Sequence, residues 1–137
     1  MVFLSSAIIA QNQSQSVTNQ YTKEYILQNA QIVTTKELYA DKSISVGQPV
    51  KLKGEILQTD SNYVRVKGIN INSGYNLNNN DIIVFGNFEN IKVYEKDEVW
   101  VYGTYYGPYT YETVLKSKRT VPAITSAWVE PTGNSFN

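Results

Sequence analysis

Residues 97–129 read D-E-V-W-V-Y-G-T-Y-Y-G-P-Y-T-Y-E-T-V-L-K-S-K-R-T-V-P-A-I-T-S-A-W-V. Val99, Val101 and Gly103 alternate with Trp100, Tyr102 and Thr104, the two-residue period of a strand with one buried face. A second strand is expected over residues 123–130. Between the two, Tyr105, Tyr106, Tyr109 and Tyr111 cluster around Gly107-Pro108, and Lys116, Lys118 and Arg119 form a basic return arm. The stretch predicts two strands joined by a long tyrosine-loaded hairpin, and with it a small β-barrel that displays rings at one end.

Upstream, the same period recurs. After a Gly47-Gln48-Pro49 turn, Val50, Leu52, Gly54 and Ile56 alternate with Lys51, Lys53 and Glu55, which makes a first strand. Asp60-Ser61-Asn62 turns the chain into a second strand over residues 63–67, with Val64 and Val66 inward and Arg65 and Lys67 outward. Residues 70–81 read as an Asn-rich loop, because Asn, Ser and Gly bond their own backbone. A third strand follows over 82–88, then a crossover over 89–96 anchored by Ile91, Val93 and Tyr94. Gly54 and Gly103 mark places where a coiled strand bends or another backbone comes close. Thr34 stands three residues before Glu37, the spacing of a capping box, so a short helix is expected from Thr35 to about Lys42. Residues 25–33 fit neither a helical nor a strand period cleanly.

Composition narrows the chemistry. The 137 residues suit one domain with a core, expected over residues 21–137. Twelve Lys plus Arg balance twelve Asp plus Glu, so any electrostatic attraction must be local. The chain has no His and no Cys, which removes the commonest general base, disulfides and thiolate chemistry. No nucleophile elbow, phosphate loop or metal-ligand spacing is present. The acids are scattered; Asp81, Asp97 and Glu98 are the only ones near strand ends, and Asp97-Glu98 reads more simply as a turn and strand start. No catalytic residue, cofactor or metal is therefore expected.

Residues 1–20 differ in character. The first ten are apolar and the next ten polar, uncharged and linker-like. The apolar run is shorter than the about 20 residues a bilayer span needs. It reads as the tail of a secretory signal without its cationic start, with cleavage near Ala10; an added strand or an expression-derived segment are the competing readings. The expected location is extracytoplasmic, secreted or at the cell surface.

Five short strands with a crossover between the third and fourth resemble the oligonucleotide/oligosaccharide-binding barrel, the OB-fold. The pattern is similar to OB-type domains of small extracytoplasmic and mobile-element proteins of Gram-positive bacteria. It rests on G-x-x-V-x-L-x-G-x-I (Gly47 to Ile56), D-x-V-x-V-x-G (Asp97 to Gly103) and V-P-A-I (Val121 to Ile124). The expected fold is thus mostly β, a five-stranded OB-fold-like barrel with a short N-terminal helix; a β-sandwich is the alternative.

The resemblance implies a binding face on the second and third strands, walled by the hairpin of the fourth and fifth. That wall would carry Tyr105, Tyr106, Tyr109 and Tyr111, with Lys118 and Arg119 behind and Tyr102 at its base. Lys51, Lys53, Arg65 and Lys67 share an outward side and could form a basic stripe. Rings plus cations suit single-stranded nucleic acid, where stacking contributes about 1–3 kcal/mol per base. Outward lysines also keep sheets soluble, and tyrosine suits any half-buried pleat. Trp100 and Trp128 are expected to anchor the barrel exterior against the Thr35 helix or an N-terminal arm. The expected function is a non-catalytic, exported binding module that engages a protein partner in an envelope or transfer assembly. Single-stranded nucleic acid and cell-wall glycan are the alternatives.

Overall fold

Two helices and six strands follow one another along the described chain: α1 (Lys23–Asn29), β1 (Gln31–Ile32), α2 (Thr35–Ala40), β2 (Pro49–Thr59), β3 (Tyr63–Gly68), β4 (Asp81–Gly86), β5 (Asp97–Glu112) and β6 (Lys118–Ser135). The computed structural model describes residues 21–40, 44–69 and 81–136. The signal and linker expected over 1–20, the Asn-rich loop up to residue 80 and the end of the helix at Lys42 lie outside them.

The strands pair in the order β1-β2-β3-β4-β6-β5, and β2 also pairs with β5, so β2 to β6 close a ring. All barrel pairings are antiparallel except β4 with β6. This is the strand order of the OB-fold, reached from the register alone, with β1 as a two-residue parallel addition to β2. The alternating residues behave as expected. Val50, Leu52, Ile56, Val64, Val66, Val99 and Val101 are all buried in one core with Ile82, Val84 and Ile124. β-branched side chains dominate because they fit a pleated surface at little rotamer cost.

Local rules explain the helices. Thr34 and Glu37 form a reciprocal capping box: the Glu37 N–H donates to Thr34 Oγ1 at 3.2 Å and the Thr34 N–H to Glu37 Oε1 at 2.9 Å. α1 is capped by Thr22, whose hydroxyl oxygen accepts from the Tyr25 N–H at 3.1 Å. Residues 25–33, open in the sequence, therefore divide between the body of α1 and β1.

Several expectations need correction. Asp81 is not a loop residue; it opens β4 and is buried. Tyr94 is no anchor, being 68% exposed, while Val93 and Ile91 do pack on the core. The fourth and fifth strands run longer than expected, and their pairing continues to Glu112↔Lys118, so the expected hairpin is strand-paired almost to its tip. A turn closed by the Thr113 N–H on the Ser117 carbonyl at 2.7 Å caps it.

Of the five register shifts in the strand pairings, two redirect the side chains that matter for the site. On β2, Ile56 pairs with Val66 but Gln58 pairs with Arg65, so an extra residue bulges at position 57. On β5, Tyr105 pairs with Ile124 but Gly107 with Ala123, an extra residue at position 106. Gly107 has φ of 107°, a left-handed value that favours glycine. Each bulge inverts the side on which the subsequent residues point.

Candidate nucleic-acid interface

β4 shows why a site forms outside the barrel. Its residues Ile82 and Val84 enter the core, while Ile83 on the opposite face is also buried. Ile83, Val121 and Ala123 form a second apolar cluster, flanked by Tyr63, Phe85, Tyr109 and Tyr111. Apolar residues on both faces require cover on both sides, and the β5–β6 ribbon supplies it by lying over the outer surface of β4. The signal was visible as Ile82-Ile83-Val84-Phe85, a run without alternation.

Between ribbon and strands runs a groove of about 520 Å³, within the range of about 300–1,000 Å³ usual for ligand sites. Tyr63, Phe85, Tyr109 and Tyr111 supply four rings, Ile83 the floor, Arg65, Arg119 and Gln58 the polar side, and Glu112, Thr113 and Val114 the rim. Phe85 and Tyr109 meet edge to face at 5.0 Å, an arrangement favoured by the ring quadrupoles. Gln58 reaches the groove only because of the β2 bulge; its Oε1 accepts from Arg65 Nη1 at 3.3 Å.

A single carboxylate organises the cations. Asp81 Oδ2 accepts from Arg65 Nη2 at 3.1 Å, and its Oδ1 from Arg119 Nη2. The Asp81 side chain is 8% exposed and the two arginines about a third exposed, so the acid lies beneath and the guanidiniums reach the groove. From behind, the Tyr39 hydroxyl of α2 donates to the Asp81 carbonyl at 2.6 Å. Burial, and then the nearby Asp81 charge, push the Tyr39 hydroxyl above its ordinary pKa. For Arg119, burial works against the cation, but the Asp81 charge and hydrogen bond outweigh it and raise its pKa.

The residues expected to bind are distributed over several surfaces. Arg65, Arg119, Tyr109 and Tyr111 come together in the groove. Tyr105 does not stand on the wall: it is 9% exposed, packs in the core and points its hydroxyl at the Leu38 carbonyl, 3.5 Å away. Burial raises its pKa. The bulge at position 106 is the reason, since it turns Tyr105 inward and Tyr109 and Tyr111 outward although all three are odd-numbered. Tyr106 sits on the bulge, 53% exposed and outside the groove. Tyr102 lies on the outer side of β2, β5 and β6, stacked on Trp128 at 5.1 Å; burial, then Glu130, raise its pKa.

The four basic residues of β2 and β3 do not make one stripe. Lys51 lies opposite Tyr102, and Lys53 opposite Trp100 with its ammonium 5.3 Å from the ring centroid. Lys67 lies between Glu55 and Asp81 in register, and Arg65 is committed to Asp81. Lys118 is exposed and opposite Glu112 near the ribbon tip. Of the two tryptophans, Trp128 meets the N-terminal arm, with Lys23 of α1 4.9 Å over its ring. Tyr63, Phe85 and Gln58 are the site residues that sequence reasoning missed.

No family model matches the chain, and no curated protein does. Among solved structures it is similar to a mitochondrial single-stranded DNA-binding protein from S. cerevisiae, Rim1, at 18% identity and a TM-score of 0.39, over 66% of this chain and 99% of that one.

Proposed function

We propose that this protein is a non-catalytic OB-fold binding module whose groove receives unpaired bases of a single-stranded nucleic acid. One observation carries the reading: four aromatic rings and the chain's two arginines converge in one groove on the outer face of β3 and β4, under the β5–β6 ribbon. Rings stack on bases of any identity, and guanidiniums hydrogen-bond to base edges or phosphate oxygens. Neutral net charge is compatible with this, because stacking needs no global field.

Fluorescence anisotropy of a labelled single-stranded oligonucleotide, at low and at physiological salt, tests the reading. Binding that a Tyr109→Ala/Tyr111→Ala variant loses supports it; absence of binding at low salt, where phosphate attraction is strongest, refutes it. A protein partner is the second reading, favoured by the ribbon tip, where Val114 and Leu115 are 95% and 83% exposed. Such binding would tolerate salt and fail in a Val114→Ser/Leu115→Ser variant. Export, read from residues 1–10, belongs to the same proposal and is tested by fractionating cells that express the full chain.

A further inference from the structure

Asp81 is the buried acid that the binding reading leaves without a part. Its two carboxylate oxygens engage one guanidinium each, Arg65 from β3 and Arg119 from β6, and these are the only arginines of the chain. Burying a charged cluster costs desolvation, and an apolar cluster of the same volume is often as stable, so stability is a weak reason to keep one here. Sites that collect polyanions do so by leaving cations uncompensated, since each phosphate neutralised releases counterions. This groove does the reverse. Both guanidiniums share the one buried carboxylate of Asp81, and Glu112 stands on the rim.

We propose that Asp81 is a specificity-determining residue of the groove: by binding both guanidiniums it cancels one positive charge and fixes their orientation, so that strands are selected more through their bases than through their phosphates. The inference rests on the nucleic-acid reading above. Asp81 does not touch the ligand; it acts through Arg65 and Arg119. The Tyr39 hydroxyl on the Asp81 carbonyl ties the start of β4 to α2, which holds the acid beneath the two cations.

The test is the slope of log affinity against log salt for a labelled oligothymidine, measured by anisotropy on the wild-type protein, Asp81→Asn, Arg119→Gln and Arg65→Gln/Arg119→Gln. Asn keeps the shape and an acceptor oxygen but not the charge. Asp81→Asn is expected to steepen the slope by about 0.7, the contribution of one more phosphate neutralised on a single strand. It should also bind duplex of the same length more tightly than the wild-type protein does. Arg119→Gln should flatten the slope by about 0.7 and Arg65→Gln/Arg119→Gln by no more than that, because Asp81 leaves the pair one charge for phosphate, whereas two uncompensated guanidiniums would lose about 1.4 together; this comparison decides the matter if Asp81→Asn fails to fold. Unchanged slopes in a folded variant overturn the inference while the binding reading stands. No binding by the wild-type protein overturns both.

Discussion

Tyr105, Tyr106 and Tyr111 lie within seven residues of one another, yet the bulge at position 106 assigns them three different environments, and alanine at each should have three different effects. Tyr105 is 9% exposed within the core. Removing a buried aromatic ring costs about 3–5 kcal/mol, transfer and cavity terms together. For a chain of this size 1 kcal/mol shifts the melting temperature by about 3–5 °C, so Tyr105→Ala should lower it by roughly 10–25 °C. Tyr105→Phe should cost far less, because the hydroxyl it deletes makes only a 3.5 Å contact. Tyr111 lines the groove, and losing its ring should weaken oligonucleotide binding by about 1–3 kcal/mol, about five- to 150-fold, with little change in melting temperature. Tyr106 is 53% exposed and outside the groove, so its removal should change neither quantity appreciably. Circular-dichroism melts and anisotropy titrations on the three variants are sufficient. A Tyr105→Ala protein that melts with the wild type, or a Tyr106→Ala protein that binds as poorly as Tyr111→Ala, would refute the register and the site built on it.

Other expectations rest on the same geometry. A Cβ on Gly103 would sit 2.5 Å from Ile124 Cγ2 and 2.8 Å from the Thr125 carbonyl oxygen; Gly103→Ala should therefore cost about 1–3 kcal/mol, seen as a lower urea midpoint with the same m-value. The Thr132 hydroxyl, 2.7 Å from Glu98, lowers the Glu98 pKa below 4.5 against the opposing effect of burial, with Asn134 and Lys53 assisting. Since the folded pKa is the lower one, Glu98 contributes stability above pH 4.5 that is lost as the pH falls through the folded value. Melts between pH 6 and 3 should thus decline more for the wild type than for Glu98→Gln, and parallel declines would exclude the effect. Lys53→Ala should leave oligonucleotide affinity and its salt slope unchanged, because Lys53 faces Trp100 away from the groove; a tenfold loss would move the site.

The alternation of Val50, Leu52 and Ile56, of Val64 and Val66, and of Val99 and Val101 was sufficient to place one face of each strand in a core, because a period of two survives in any sheet. The Thr34–Glu37 cap and the close approach at Gly103 were equally readable, since both depend on residues with a local steric or hydrogen-bonding requirement. The site was legible only in part. Its tyrosines and arginines stood out by type, but which of them share a surface depends on the extra residues at positions 57 and 106, and a bulge inverts alternation without changing composition. Asp81 meets Arg65 and Arg119 across gaps of 16 and 38 residues, so their union exists only once β4 lies between β3 and β6. Local chemistry settled the strands; ring closure and register, which sum over the whole chain, decided that the rings and guanidiniums face one groove.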